Sequence, residues 1–203
     1  MATAQPTLDR FERSKVDKFE LRRDELADAA LTTLGELGYA RTGLRQISQN
    51  TAFSHGVLHY YFRDKNELIT YCVRRYKEHC VTRYDEIVEQ STAAHEVNAR
   101  MAEALVVTMV EDLSMHRLWY DLRAQAMFEA ALAPTVSDLD AQLEAMIWRV
   151  VVRHAELAST RPALDRTTTY ALFDGIFENA LIRHLAGDPQ AASRLRHSAM
   201  ELM

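Results

Sequence analysis

The sequence predicts an all-α protein: an N-terminal helix-turn-helix head of three helices, joined by a long helix to a larger helical body. Three observations carry this. The 203 residues include six glycines and four prolines, too few to turn the many short strands of a sandwich or barrel. Apolar residues recur three and four apart over long stretches, the period of a helix with one buried face. The hydrophobic fraction of 48% excludes a mainly disordered chain. Cys72 and Cys80 do not make a disulfide framework, and the segment from Met1 to Arg23 is polar and charged. No stretch approaches the roughly 18 apolar residues of a membrane span. The expectation is a soluble, cytoplasmic protein with no membrane partner.

The elements follow in order. Residues 1–16 are expected to form an arm in which Arg10, Arg13 and Lys15 are balanced by Asp9, Glu12 and neighbouring Asp17. Phe19, Leu26, Ala30, Leu34 and Leu37 predict a first helix over Val16 to Leu37, stopped by Gly38. Thr42 is placed to cap a second helix through Asn50, with Leu44 and Ile47 buried. Ser54 caps a third over His55 to Tyr61, and Asp64 a fourth. Helices this short are marginal alone, so packing against the first and fourth must hold them. The apolar pattern then runs without a break from Asn66 to about Gln90. Ser91 is expected to cap a helix through Asp112, followed by one from Met115 to Ala133 that Pro134 breaks. Further helices are expected over Ser137 to Ala158 and Asp165 to Ala186, with a short tail helix after Gly187. The domain reading is an arm over 1–16, a head over 17–64 and a body over 65–203.

Charge separates head from body. The chain carries a net charge of -5, but residues 1–63 are net +1 and residues 64–203 net -6. From Leu37 through Arg63 there is no Asp or Glu. Two short helices joined by a tight turn inside that window have the spacing of a helix-turn-helix, whose second helix enters the major groove. Thr42, Arg45, Ser54, His55, His59, Tyr60 and Lys65 are hydrogen-bond donors without negative charge, suited to phosphates and base edges. Gly56 weakens the third helix and points to close approach of another backbone, either DNA or a facing helix. His55 and His59 stand four apart, a metal-binding spacing, but no third ligand accompanies them.

Gly38-Tyr39-Ala40-Arg41-Thr42, Ile47, Ser54 through Phe62, and Asp64-Lys65-Asn66-Glu67-Leu68 resemble the N-terminal signature of the tetracycline-repressor-like (TetR) family of bacterial regulators. The resemblance spans about 50 residues in register. Departures occur at Ala52, where the family's turn usually has glycine, at Gly43, and in the run His59-Tyr60-Tyr61-Phe62. The resemblance implies an all-helical homodimer with a DNA-binding head and a ligand-binding body. It implies that Thr42, Tyr60 and Lys65 hold phosphates, while Arg45, Ser54, His55 and His59 face bases or nearby backbone. Leu58 and Phe62 would anchor the third helix in the core.

In the body, Met101, Leu105, Met109, His116, Trp119, Tyr120, Arg123, Met127, Phe128, Trp148, Phe173 and Phe177 form a set of large, adaptable and polar side chains fit to hold a small molecule, expected to be mainly apolar or aromatic. Ile147, Val150, Val151 and His154 on one helix, with Leu172, Gly175, Ile176, Asn179 and Ile182 on the next, supply a second apolar face. By the resemblance this pair meets its two-fold mate. The expected function is a transcriptional regulator, a repressor released from a near-palindromic double-stranded operator by a small-molecule effector. No catalytic signature is present, and neither cofactor nor metal is implied. The alternative is an all-α small-molecule-binding or enzymatic bundle that does not touch DNA.

Overall fold

The computed structural model describes residues 10–203, with side chains from residue 17 onward apart from 77–79. The arm expected over residues 1–16 therefore lies outside the described side chains, Arg10, Arg13 and Lys15 included. Ten helices and no strand occur among the described residues: α1 Arg10–Leu37, α2 Leu44–Gln49, α3 His55–Tyr61, α4 Lys65–Cys80, α5 Asp85–Gln90, α6 Ala94–Glu111, α7 Leu113–Ala126, α8 Ala133–Leu157, α9 Arg166–Leu185 and α10 Ala191–Glu201. No helix among them is long and apolar enough to cross a membrane. The chain divides into two compact units, Met1–Cys72 and Val73–Met203, with the division inside α4.

The N-terminal unit is built on the apolar stripe of α1. Leu26, Ala30 and Leu34 are fully buried together with Ile47 of α2, Leu58 of α3 and Leu68 of α4. Burying a side chain of this size contributes about 1.5–3 kcal/mol, which holds two helices too short to stand alone. α1 begins at Arg10, earlier than the expected Val16, and ends where Gly38 adopts φ 77°. The residue capping α2 is Gly43, not Thr42; its amide donates to Gln46 Oε1 at 3.1 Å. Asp64 takes the Glu67 amide at 2.9 Å while the Glu67 carboxylate takes the Arg63 amide at 2.9 Å, a reciprocal cap for α4. The Glu67 amide, with the Arg63 guanidinium at 3.3 Å, holds the Asp64 carboxyl below its ordinary range. Arg23 pairs with Glu67 at 3.1 Å and lies over the rings of Phe62 and Tyr71, tying α1 to α4.

In the C-terminal unit α6, α8, α9 and α10 surround a core that includes Met101, Met109, Val150, Phe173 and Leu195. Here the helix expected to run to Gln90 is interrupted: α4 stops at Cys80, residues 81–84 turn, and α5 starts at Asp85. No glycine or proline causes this. Arg149 of α8 instead donates to the freed Val81 carbonyl at 2.5 Å and to Asp85 at 2.7 Å. Ser91 ends α5 and is buried rather than capping α6; the Thr92 amide is taken by Glu96 at 2.8 Å, which depresses the Glu96 carboxyl. Pro134 sits in the first turn of α8, where its missing N–H costs nothing, while α7 has already ended at Ala126. Asp165 caps α9 as a carboxylate should, accepting the Thr168 amide at 3.0 Å, and Gly187 at φ 82° follows the helix.

Candidate functional sites

In the N-terminal unit, Ser54 caps α3 by accepting the Val57 amide at 3.3 Å. That fixes the helix's rotation: Leu58 is buried, and Ser54, His55, Gly56, His59 and Tyr60 are exposed, with Tyr60 73% accessible. The Tyr60 ring is braced by Tyr61 at 4.9 Å and Phe19 at 6.2 Å, and His55 meets His59 edge to face at 4.4 Å. Arg45 projects from α2, also exposed. A Cβ at Gly56 would meet nothing nearer than Ser54 Oγ at 4.0 Å, so no facing helix in this fold requires glycine there.

Two residues expected at DNA are engaged elsewhere. Thr42 is 2% exposed, and its hydroxyl donates to the Gly38 carbonyl at 2.6 Å. Lys65 donates to the Tyr39 carbonyl at 2.5 Å with its ammonium 3.5 Å from the Tyr39 ring centre. Both side chains fasten the carbonyls at the end of α1, where helical partners run out.

The C-terminal unit contains a cavity of about 100 Å³. Of the residues expected to hold a ligand, Leu105, His116, Trp119, Tyr120, Phe173 and Phe177 line it. Met101 and Met109 are fully buried in the core rather than on the wall. Met127 and Phe128 are 75% and 85% exposed beyond the end of α7, and Trp148 is half-buried away from the cavity. Arg123 stands behind the wall. Sequence periodicity missed Tyr76, Cys80, Arg83, Tyr84, Tyr170 and Asp174. The first four belong to the stretch read as one unbroken helix, whose interruption turns Arg83 inward.

Every formal charge on the described wall has a partner. Arg83 is ion-paired with Asp112. Asp174 pairs with Arg123 at 2.5 Å and accepts from the Tyr120 hydroxyl at 3.0 Å. Arg123 also approaches Asp140 at 3.7 Å, and Asp140 accepts from Tyr170 at 2.6 Å, so α7, α8 and α9 share one clasp. Burial, reinforced by these carboxylates, holds the Tyr120 and Tyr170 hydroxyls protonated. Burial pushes His116 down to about 4, helped by the nearby Arg83 charge, so at neutral pH its ring is uncharged.

The residues expected at a dimer face separate. Ile147, Val150 and Val151 belong to the core of the unit, with exposures of 5%, 1% and 7%, and His154 is half-buried. On α9, Leu172, Gly175, Asn179 and Ile182 are exposed along one stripe, Ile176 is half-buried, and nothing lies within 4 Å of a Cβ at Gly175.

Residues 26–72 match the family described as bacterial regulatory proteins, tetR family. The chain is 24% identical over 193 residues to the HTH-type transcriptional regulator BetI of Burkholderia cenocepacia (strain HI2424), covering 93% of this chain and 97% of that one. Its fold is similar to that of a TetR transcription regulator from Haloarcula marismortui ATCC 43049, with TM-score 0.68 and 19% identity over 90% of this chain and 96% of that one. It is also similar to a transcriptional regulator from Saccharomonospora viridis solved in complex with choline, with TM-score 0.74 and 15% identity over 90% and 95% of the two chains. The head's reciprocal caps, its exposed acid-free helix and these likenesses agree: residues 26–72 carry a DNA-binding domain of the tetR family, in a chain similar along most of its length to a transcriptional regulator.

Proposed function

We propose that the protein is a homodimeric repressor that leaves its operator when a small, uncharged, mainly apolar or aromatic compound occupies the cavity of the C-terminal unit. The observation that carries the ligand class is the wall itself: aromatic and aliphatic, with Arg83 and Asp174 each neutralised by a partner and His116 uncharged. A charged ligand would have to break one of these pairs or remain unpaired in a poorly solvated site, a cost of several kcal/mol. A cavity of about 100 Å³ suits a compound of about one ring.

The head supports the DNA assignment through Arg45, Ser54, His55, Gly56, His59 and Tyr60, all exposed and free of acidic neighbours in sequence. Thr42 and Lys65 support it indirectly, by fixing the end of α1. The exposed stripe of α9 supports a two-fold interface, and a symmetric dimer would set two reading helices about 34–36 Å apart on a near-palindrome. Cavity residues Val73, Tyr76 and Cys80 lie on α4, the helix whose first turns belong to the head. A ligand that favours one position of α4 would lower operator affinity by its differential binding to the two states.

Choline in the Saccharomonospora viridis regulator suggests a second reading, a quaternary ammonium held by aromatic faces. The Arg123 guanidinium already lies 5.8 Å from the Trp119 and Tyr120 rings, which disfavours another cation there. Fluorescence polarisation on an operator selected from random DNA tests both readings. Arg45→Ala should weaken binding and reduce the salt slope by about one, and Tyr60→Phe should weaken it without changing that slope. Neutral one-ring aromatics should release the DNA and choline should not. Full operator affinity in both variants, or release by choline alone, overturns the assignment.

A further inference from the structure

The polar contacts of His116 specify its tautomer, and the tautomer specifies what the ligand carries. His116 Nε2 lies 3.1 Å from the carbonyl oxygen of Thr108, a group that can only accept. The Thr108 hydroxyl, 3.4 Å from the same nitrogen, donates its own proton to Asp112 at 3.4 Å, so it too faces Nε2 as an acceptor. The carbonyl contact requires the proton of the neutral ring to be on Nε2, and the hydroxyl contact is compatible with it. Nδ1 is then a bare lone pair, and no described residue donates to it. The ring is held edge-on to Phe177 at 4.7 Å, and His116 and Phe177 both line the cavity. A neutral ring nitrogen without a protein donor, on a wall whose formal charges are already paired, is an acceptor open to a donor from a ligand.

We infer that the cavity selects a neutral ligand bearing a hydroxyl or N–H, in the manner of a phenol, and that this group donates a hydrogen bond to His116 Nδ1. This rests on the cavity being the effector site and deepens that reading. An acceptor-only ligand such as an ether, ester or ketone would set its lone pairs against that of Nδ1. An anion would do the same with full charge. Binding energy from the hydrogen bond is modest, but a site built around a donor also rejects its isostere, because the isostere covers the acceptor and leaves it unpaired.

The probes are p-cresol and p-xylene, which differ by hydroxyl against methyl at nearly equal shape. Calorimetry on the full chain should show p-cresol preferred by about tenfold, with the preference lost in His116→Phe, which keeps a ring against Phe177. Wild-type protein labelled with ¹⁵N-histidine gives a measurement that needs no variant. The His116 Nδ1 resonance should move towards the hydrogen-bonded position on adding p-cresol and stay in place on adding p-xylene. Equal affinity for the two probes, a preference unchanged in His116→Phe, or an unmoved Nδ1 resonance with p-cresol bound overturns the inference while leaving the cavity as effector site. Failure of both probes to bind overturns the effector site itself and the inference with it.

Discussion

Arg149 of α8 donates to the Val81 carbonyl at 2.5 Å, one residue past the end of α4. The same guanidinium reaches Asp85 at the start of α5. One side chain thus bonds to both ends of the turn between the helices, supplying the partner that helix continuation would have supplied.

Replacing Arg149 by Met should therefore lower stability by about 1–2 kcal/mol, or about 2–6 °C in Tm, since a carbonyl is left unpaired and a half-exposed ion pair is lost. Asp85→Asn, which keeps the carbonyl bond, should cost less. Thermal melts followed by circular dichroism decide it, and a larger loss from Asp85→Asn would contradict the assignment of the turn to the carbonyl contact.

Gly56→Ala separates fold from recognition. With 4.0 Å of clearance the methyl fits, so α3 should gain up to about 1 kcal/mol of helix propensity and Tm should rise. Operator affinity should nevertheless fall if a DNA backbone approaches this exposed position. A melt and a polarisation titration on the same sample give the two numbers, and a variant both stabler and equally tight would remove Gly56 from the reading face.

His116 makes stability depend on pH with a definite sign. Its pKa is depressed in the fold to about 4 from an ordinary 6.5, so the unfolded chain binds the proton first. The stabilisation is complete above about pH 6.5 and is lost as pH falls towards 4, by up to about 3 kcal/mol. His116→Phe should flatten the Tm profile between pH 6.5 and 4.5 relative to the parent. Parallel profiles for the two proteins would show that the ring is not buried in its neutral form.

The exposed stripe of α9 gives a test of assembly. Leu172→Asp or Ile182→Asp should shift light scattering at low micromolar concentration from two chains' mass to one, with little change in helicity. Val150→Ala, in the core, should lower Tm by several degrees and leave the mass unchanged. A parent protein that already scatters as one chain would reject the dimer.

How far the residues announce their own structure follows from what decides each feature. Ser54, Asp64 and Asp165 act within three residues of themselves, and the starts of the helices they cap are legible to within a residue. The interruption after Cys80 is decided by Arg149, 68 residues away, and has no local marker at all. The cavity was legible in only part of its wall for the same reason: Trp119, Tyr120 and Phe177 follow the period of regular helices, whereas Arg83 and Tyr84 belong to the turn that Arg149 bonds to. Ile147, Val150 and Val151, expected at a dimer face, belong to the core of their own unit; their apolar chemistry is the same whether a helix faces its own core or a mate.

Thr42 and Lys65 give the family signature a further meaning. They are among its recognisable positions, and both are bound to the backbone at the end of α1, whereas Arg45, His55 and His59 point outward with little packing duty. The signature thus combines residues that hold the scaffold, Thr42 and Lys65 among them, with His55 and His59, which face outward. The outward set can be exchanged without unmaking the scaffold, so operator preference is free to drift between relatives that keep the same recognisable head, and a retargeted variant could be built by changing those three side chains alone.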